Sequence, residues 1–494
     1  MPKLTRTSAV LAAALALLLA SCGTRLPDSA FRDSAQPVSA GARRDATGTD
    51  AGGDSLDNGG TTDTTAASGV DTGSNTGRSS SGSGGGPSAP GDSAPNRASD
   101  TGVTDTTITI GNITAENGVL GDAFAPAVRG VRAWVAYTNA HGGIHGRQVV
   151  LKTCDDREDR NRDLACAQQL VERDKVFALI GVNSRAFGGA AQYLADHQIP
   201  VLGFPITNSL YRYPTMFSIY RNGYARDGKT VGYNGNLVYT SGWMRWFHKT
   251  LNLTKAAVFT YDIDESKQAG DLFKKGMELE GMQVTEYTVS FAAPSFDQDV
   301  ADMQRNGTEM IVDSMDDGAN KKLCDAMARR KFSVKAKVST VVVMSDKVGT
   351  DYNDTCRNSV YVPGFTLDYD DPSNPEIVKF RDAFHRYQPN LPLHQWALEA
   401  WLQADLAAEY LNTSAPTRTG LVKYLDDVRN WDGHGVHSGL DWGKYDPSSP
   451  RTKDCFTIAH WQDSAKGWTN ASGNFPDCYP DAYQYQAPAL EQGN

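Results

Sequence analysis

The chain is 494 residues long, with 48 Lys and Arg against 58 Asp and Glu, a formal charge of −10, and 40% hydrophobic residues. An acidic balance without any basic stripe excludes nucleic acid as a partner. Beyond the first residues, no stretch reaches the ~18 consecutive apolar side chains of a membrane helix, so nothing in the chain is expected to cross a bilayer.

Lys3 and Arg6 form a positive start, and residues 9 to 20 form an apolar core rich in Ala and Leu that is too short to span a membrane. It closes in Leu19-Ala20-Ser21-Cys22, small residues before a cysteine, which resembles the lipobox of exported lipoproteins. The resemblance implies a diacylglycerol on Cys22 and a lipid-anchored protein on the extracytoplasmic face of the cell membrane, with 1–22 as its signal peptide. Residues 23–104 are dominated by Ser, Gly, Thr, Asp and Ala. Such a stretch buries too little to offset its ordering entropy and is expected to be a disordered tether with a span of roughly 50 Å. Residues 105–494 have ordinary globular content and are more than one hydrophobic core normally holds, so two lobes are expected.

From Thr106 on, short β-branched runs alternate with amphipathic stretches, the pattern of parallel sheets covered by helices. Thr106–Gly111 reads as a strand, 121–140 as a helix, and Gln148–Thr153 as the next strand. A helix at 161–173, a strand at Val176–Gly181, a helix at 185–197 and a strand at Ile199–Gly203 continue the series. A second series begins with a strand at Ala256–Tyr261 and a helix at 265–280. Strands at 283–289, 308–313 and 338–343 come next, with helices at 296–306 and 318–330 between them. The pattern is α/β with two doubly wound lobes.

Seven cysteines occur, and six remain if Cys22 carries lipid. An even number in an exported chain implies disulfides. They fall into three local couples, so the expected bridges are Cys154–Cys166, Cys324–Cys356 and Cys455–Cys478. No Cys-x-x-Cys is present and the spacings fit no zinc pattern.

Asn139-Ala140-His141-Gly142-Gly143-Ile144-His145-Gly146, Leu179-Ile180-Gly181, Ile199-Pro200-Val201-Leu202-Gly203 and Thr207-Asn208 fall in one order that resembles the type 1 periplasmic binding proteins feeding branched-chain amino-acid ABC importers. The resemblance implies two Rossmann-like lobes joined by a hinge of crossing strands, and a ligand cleft that closes on binding. It also implies a C-terminal third that returns to the first lobe before the chain ends in the second. The expected boundaries are 105–226 with 357–440 for lobe 1, 227–356 with 441–484 for lobe 2, and 485–494 as a tail.

Ligands of open α/β sheets sit at the carboxyl ends of strands. Ser184 and Thr207 match best the Ser and Thr that hold the ligand carboxylate in the resembled family, and Pro205 matches the loop whose carbonyl accepts from the ligand ammonium. Asn183 adds an amide. Ser184 and Thr207 equally suit the role of helix caps. In the second lobe, where relatives often carry tyrosines, the chain has Asp313-Ser314-Met315-Asp316-Asp317-Gly318 and Met344-Ser345-Asp346. Asp316 and Asp346 are candidates for an ammonium or hydroxyl ligand, or are caps favoured by the helix dipole. Phe204 and Tyr220 are candidate apolar walls, or core.

Enzymatic signatures are missing. Gly181-Val182-Asn183-Ser184-Arg185 lacks the G-x-S-x-G elbow, and no P-loop or G-x-G-x-x-G comes after a strand. His434 and His437 lie in a glycine-rich loop without an acidic helix partner in sequence, and the acidic run 154–159 lacks the pattern of an EF-hand. No catalytic residue, cofactor or metal is therefore expected. The sequence reads as a monomeric substrate-binding lipoprotein that delivers a small polar ligand, an amino acid or related carboxylate, to an ABC permease. The alternative is an extracellular sensor or accessory protein, favoured by the acidic loops and by Trp442, Trp461, Trp468 and Tyr479 near the end of the chain.

Overall fold

The computed structural model describes residues 94–220, 226–292, 294–442 and 449–490. The export signal, Cys22, residues 23–93 of the expected tether and residues 491–494 lie outside the described residues.

The first series comprises β1 (Thr107–Ile113), α1 (Gly121–Ala140), β2 (Gln148–Cys154), α2 (Arg160–Gln168), β3 (Leu179–Val182), α3 (Ala191–Asp196), β4 (Val201–Gly203) and β5 (Met216–Phe217). Its strands form a parallel sheet in the order β2-β1-β3-β4-β5. The second series comprises β6 (Asn236–Thr240), α4 (Gly242–Thr250), β7 (Lys255–Tyr261), α5 (Asp264–Leu279), β8 (Gln283–Val289), α6 (Asp297–Asn306), β9 (Met310–Asp313), α7 (Asp317–Arg329), β10 (Ala336–Val338), α8 (Lys347–Asp351) and β11 (Val360–Gly364). Three helices return to the first lobe, α9 (Pro375–Tyr387), α10 (Gln395–Leu411) and α11 (Arg418–Asp426). The chain then adds β12 (Arg451–Gln462), β13 (Gly467–Asn470) and β14 (Asp477–Pro488) to the second sheet. That sheet runs β6-β14-β12-β11-β10-β9-β7-β8, with β13 on β12.

Burial explains the sequence pattern. β7 reads Lys-Ala-Ala-Val-Phe-Thr-Tyr and is buried on both faces after its first residue, as a central parallel strand requires. α10 is apolar on nearly every side because it lies between α1, β3 and α11. Its close approach to α1 depends on Gly130, where a Cβ would come within 2.1 Å of the Ala397 carbonyl oxygen. All three expected disulfides form, with Cα separations of 5.6, 5.4 and 4.0 Å in chain order.

Several expectations shift. The β-branched run 338–343 is not one strand: β10 ends at Val338, where Ser339 Oγ donates to Asp313 Oδ2 at 2.5 Å, and Val341–Val343 forms a tight helical turn. The expected helix 185–197 is broken into a turn at Phe187–Gly189 and the short α3, with Gly189 pressed against the Arg160 carbonyl. The end of the expected tether docks on the domain. Arg97 N donates to Ser414 O at 3.2 Å, Ser99 Oγ to Pro416 O at 2.5 Å, and Val103 is buried. The chain leaves the second sheet only after Gly364, beyond the expected boundary at 356/357, and residues 485–488 of the expected tail continue β14 in register with β6.

The segments that pass between the sheets are laced together. His437 shares a hydrogen bond of 2.8 Å with Ile219 O, Trp442 Nε1 donates to Ser218 O at 2.9 Å, and Ser438 N donates to Phe365 O at 2.7 Å. Thr457 Oγ1 donates to Thr366 O at 2.8 Å. Glu399 from α10 sits at the centre, accepting from Tyr220 Oη at 2.5 Å and from Thr366 Oγ1 at 3.1 Å. Trp396 Nε1 in turn donates to Tyr220 Oη at 3.0 Å. Burial pushes the Glu399 carboxyl from its ordinary 4.5 up to about 8, against the two hydroxyl donors.

A second buried network lies in the other lobe. Lys337 on β10, fully buried, donates to Asp313 Oδ2 at 2.8 Å, to Ser339 Oγ at 2.9 Å and to Asn320 Oδ1. Asn320 Nδ2 donates onward to Asp313 Oδ1 at 2.9 Å and to the carbonyls of Met315 and Asp316, both at 3.1 Å. The loop after β9 is thus fixed from below.

Two outcomes are expected. Lys337→Met leaves the Asp313 carboxylate buried without its cation, and denaturant unfolding should register a loss of about 3–5 kcal/mol; a loss under about 1 kcal/mol would contradict this role. For Glu399 the folded state holds a proton that the unfolded state releases above pH 4.5. Its stabilisation is complete below that pH and is lost as pH rises to about 8, at about 1.4 kcal/mol per pH unit. Glu399→Gln should flatten this part of the stability–pH curve, and an unchanged slope would contradict the assignment.

Candidate functional site

β1 is flanked by β2 and β3 in the first sheet, and β7 by β8 and β9 in the second. At both points the strand order reverses, and the crevice beyond the carboxyl ends is where such sheets bind ligands. The chain places Thr114–Glu116 and Asn183–Ser184 at the first switch point, and Tyr261–Asp262 and Ser314–Asp316 at the second.

In the first lobe these tips are held by side chains of the loop after β2. Asp155 Oδ1 accepts from Glu116 N at 3.0 Å and its Oδ2 from Asn117 Nδ2 at 2.6 Å. Glu158 Oε1 accepts from Leu120 N at 2.6 Å, and its other oxygen lies 3.4 Å from Arg185 Nε. Asp159 caps α2. Asp156 is fully buried, and burial pushes its carboxyl up against hydrogen bonding by Ser184 and the Glu158 amide. The acidic run 154–159 therefore braces loops. In the second lobe, Ser266 Oγ accepts from Tyr261 N at 2.8 Å and donates to Ser314 O at 3.0 Å, joining the ends of β7 and β9.

Ser184 and Thr207 differ. The Ser184 hydroxyl accepts from Ala186 N at 2.9 Å, closing a local turn. Thr207 is only 2% exposed, precedes a short helical turn at Asn208–Tyr211 without capping it, and its Oγ1 is buried with no hydrogen-bond partner. Asn183 is also fully buried: its Nδ2 reaches Phe124 O at 3.5 Å while its Oδ1 has no partner. Buried polar atoms are nearly always paired, so two such atoms at strand tips call for an explanation. Pro205 is half-buried in the same loop as Thr207.

The remaining candidates scatter. Phe204 is 3% exposed and packs on Tyr220 and Trp396, with ring centroids 6.1 and 5.6 Å away, so it belongs to the core. Tyr220 belongs to the hinge network described above. Asp316 caps α7 through Gly318 N at 2.8 Å and Ala319 N at 3.2 Å, and accepts from Tyr261 Oη. Asp346 is exposed and accepts from Tyr369 Oη at 2.8 Å, next to the 367–371 segment and apart from Thr207.

Three residues at the lobe boundary make contacts that the sequence does not assign, although Arg185 and Asn208 lie in strand-end loops it points to. Tyr261 ends β7 and carries its hydroxyl to Asp316; burial first, then that carboxylate, pushes its ionisation well up. Arg185, directly after Ser184, stands 5.4 Å above the Phe291 ring of the opposite lobe. The order Tyr261-Asp262 at a strand end and an Arg after a candidate Ser were the available signals. Beside Thr207, Asn208 Nδ2 donates to Gln268 Oε1 at 3.0 Å and Leu490 O at 3.1 Å, so this tip too faces the second lobe. A separate groove of about 420 Å³ is lined by Leu367, Asp371, Asn374, Asn470 and Phe475 among others, and none of the expected ligand residues lines it.

No helix among the described residues is long and apolar enough to cross a membrane. No curated protein matches the sequence. Solved structures do match. A fatty acid ABC transporter substrate-binding protein from Thermomonospora curvata is 14% identical over 78% of this chain and 95% of its own, with a TM-score of 0.58. An ABC transporter solute-binding protein from R. palustris in complex with benzoate is 14% identical over 76% and 97%, with a TM-score of 0.57. A branched-chain amino acid transporter substrate-binding protein from Streptococcus pneumoniae in complex with isoleucine is 14% identical over 77% and 100%, also with a TM-score of 0.57. At this identity the likeness shows the fold. The family model described as "Periplasmic binding protein" matches residues 107–466, and the chain belongs to that family.

Proposed function

We propose that this protein is a monomeric extracytoplasmic lipoprotein, anchored through Cys22, that closes its two lobes on a small polar carboxylate and passes it to an ABC permease. The carrying observation is the buried Thr207 hydroxyl without a partner at a strand tip facing the other lobe. A ligand carboxylate supplies the acceptor this hydroxyl lacks, and hydrogen bonds to charged groups are the stronger ones. Arg185, directly after Ser184, places a guanidinium at the same lobe boundary, where it lies 3.4 Å from Glu158 and 5.4 Å above the Phe291 ring. The three structural relatives named above are titled for a fatty acid, benzoate and isoleucine, which differ in shape and share a carboxylate.

The alternative of a sensor rested partly on the C-terminal aromatics. Trp442, Trp461 and Trp468 are 4–5% exposed and part of the core, so the three indoles offer no recognition surface, while Tyr479 is half-buried and stacks on Phe456.

The test is calorimetry of the refolded protein against amino acids, aromatic carboxylates and short fatty acids. At least one should bind, and Thr207→Val should weaken it about tenfold or more, from the ~1.5–3 kcal/mol of a hydrogen bond to a charged group. The same substitution should leave unliganded stability within about 0.5 kcal/mol, because no partner is lost, while Ser184→Ala should cost about 1 kcal/mol. Failure of the whole panel, or undiminished binding by Thr207→Val, would overturn the reading.

A further inference from the structure

Glu376 on α9, Asp405 on α10 and His434 in the loop after α11 come together on the helical layer of the first lobe, with one ligand atom from each within 4.8 Å of the others. They are far apart in sequence, and the histidine loop by itself has no acidic partner. The fold supplies two.

The hydrogen bonds around the cluster leave one atom over. Glu376 accepts from Trp401 Nε1 at 3.1 Å on Oε1, and its Oε2 lies 2.5 Å from Lys379 Nζ. Asp405 Oδ1 accepts from Trp134 Nε1 at 2.6 Å. Asp405 Oδ2 is sealed from solvent and accepts from no N–H or O–H donor among the described residues. The Lys379 ammonium pairs with Glu376, and no ion pair reaches Asp405 among the described residues.

His434 is exposed and held in a left-handed backbone conformation, φ 60°, between Gly433 and Gly435 at φ 54° and 79°. Asn374 Nδ2 donates to its carbonyl at 3.2 Å, which ties the loop to the start of α9. Its exposed ring brings one nitrogen within 4.8 Å of a carboxylate oxygen of each acidic residue. Two carboxylates and one imidazole form a donor set suited to borderline divalent metals, which take such atoms at about 2.0–2.2 Å.

We propose that Glu376, Asp405 and His434 form a divalent transition-metal site, with Asp405 Oδ2 as its innermost ligand and the fourth position open to water. The site is independent of the lobe boundary and shares no residue with the proposed ligand contacts. It links α9, α10 and the 432–437 loop, so occupancy stabilises the first lobe.

The probe is zinc alone, titrated calorimetrically and by thermal unfolding into protein stripped with chelator and then freed of it. One site should bind, with a rise in Tm that chelator reverses. Asp405→Asn and His434→Ala should each weaken it by about tenfold or more, since even partners behind the ligands are worth roughly 10–100-fold. His434 is exposed, so its variant reports without threatening the fold. No zinc binding, or binding that both variants leave unchanged, would overturn the proposal whatever the carboxylate panel shows.

Discussion

The fold turns on a constraint at the hinge, where chain segments that pass between two sheets must lie side by side without leaving their backbone groups unpaired. Ser218–Tyr220, Phe365–Leu367 and Val436–Trp442 meet this by bonding to one another, and Glu399 from the central helix α10 collects hydroxyls from the first two. A carboxyl in this place is costly to ionise, and the protein keeps it as a shifted, doubly hydrogen-bonded group. Tyr220 and Thr366 lie on successive crossings, so this cluster joins them to each other through α10. The indole of Trp396 and the ring of Phe204 fill the space beneath it, which ties the strand tip at Phe204–Thr207 to the hinge.

From this pivot the two halves present their strand ends to one another, and each half stiffens its own ends by different means. The first lobe uses carboxylates from the loop after β2 to hold the backbone after β1. In the second lobe, a buried Lys337–Asp313–Asn320 network sits under the loop after β9. Rigid tips lower the ordering cost of capturing a solute. The contrast between Ser184, whose hydroxyl serves its own turn, and Thr207, whose hydroxyl has no partner among the described residues, separates scaffold from candidate contact at two positions that the sequence could not tell apart.

How far the sequence could be read depends on the kind of information each feature needs. Most of the alternating β and α elements up to Asp313 were legible because buried parallel strands and amphipathic helices have distinct periods, whereas β5, β6 and α4 were not, and the helix expected at 185–197 is broken. The disulfides were legible because each couple is local. The run 338–343 misled because β-branched residues report a buried extended preference, while the turn there is imposed by Ser339 bonding to Asp313 from a neighbouring strand. Elements after residue 343 were hidden: α10 is apolar on all sides and lacks the one-faced pattern, and β12 and β14 are recognised only through their pairing with each other and with β6 and β11. At the site, Phe204 and Tyr220 stay open between wall and core in the sequence, because an aromatic at a strand end suits either until its neighbours are known. Tyr261 and Arg185 had a local signal in their places at strand ends, but their contacts with Asp316 and Phe291, and the meeting of Glu376, Asp405 and His434, are tertiary facts that no local spacing encodes.

The central claim is that a solute is held between the tips of both lobes. Hydrogen–deuterium exchange, with and without a bound carboxylate, measures this most directly. The account predicts slowed exchange at amides of both lobes, in 183–185 and 206–209 on one side and 261–266 and 314–318 on the other. Protection confined to a single lobe, or centred on the groove between Asn374 and Asn470, would contradict it.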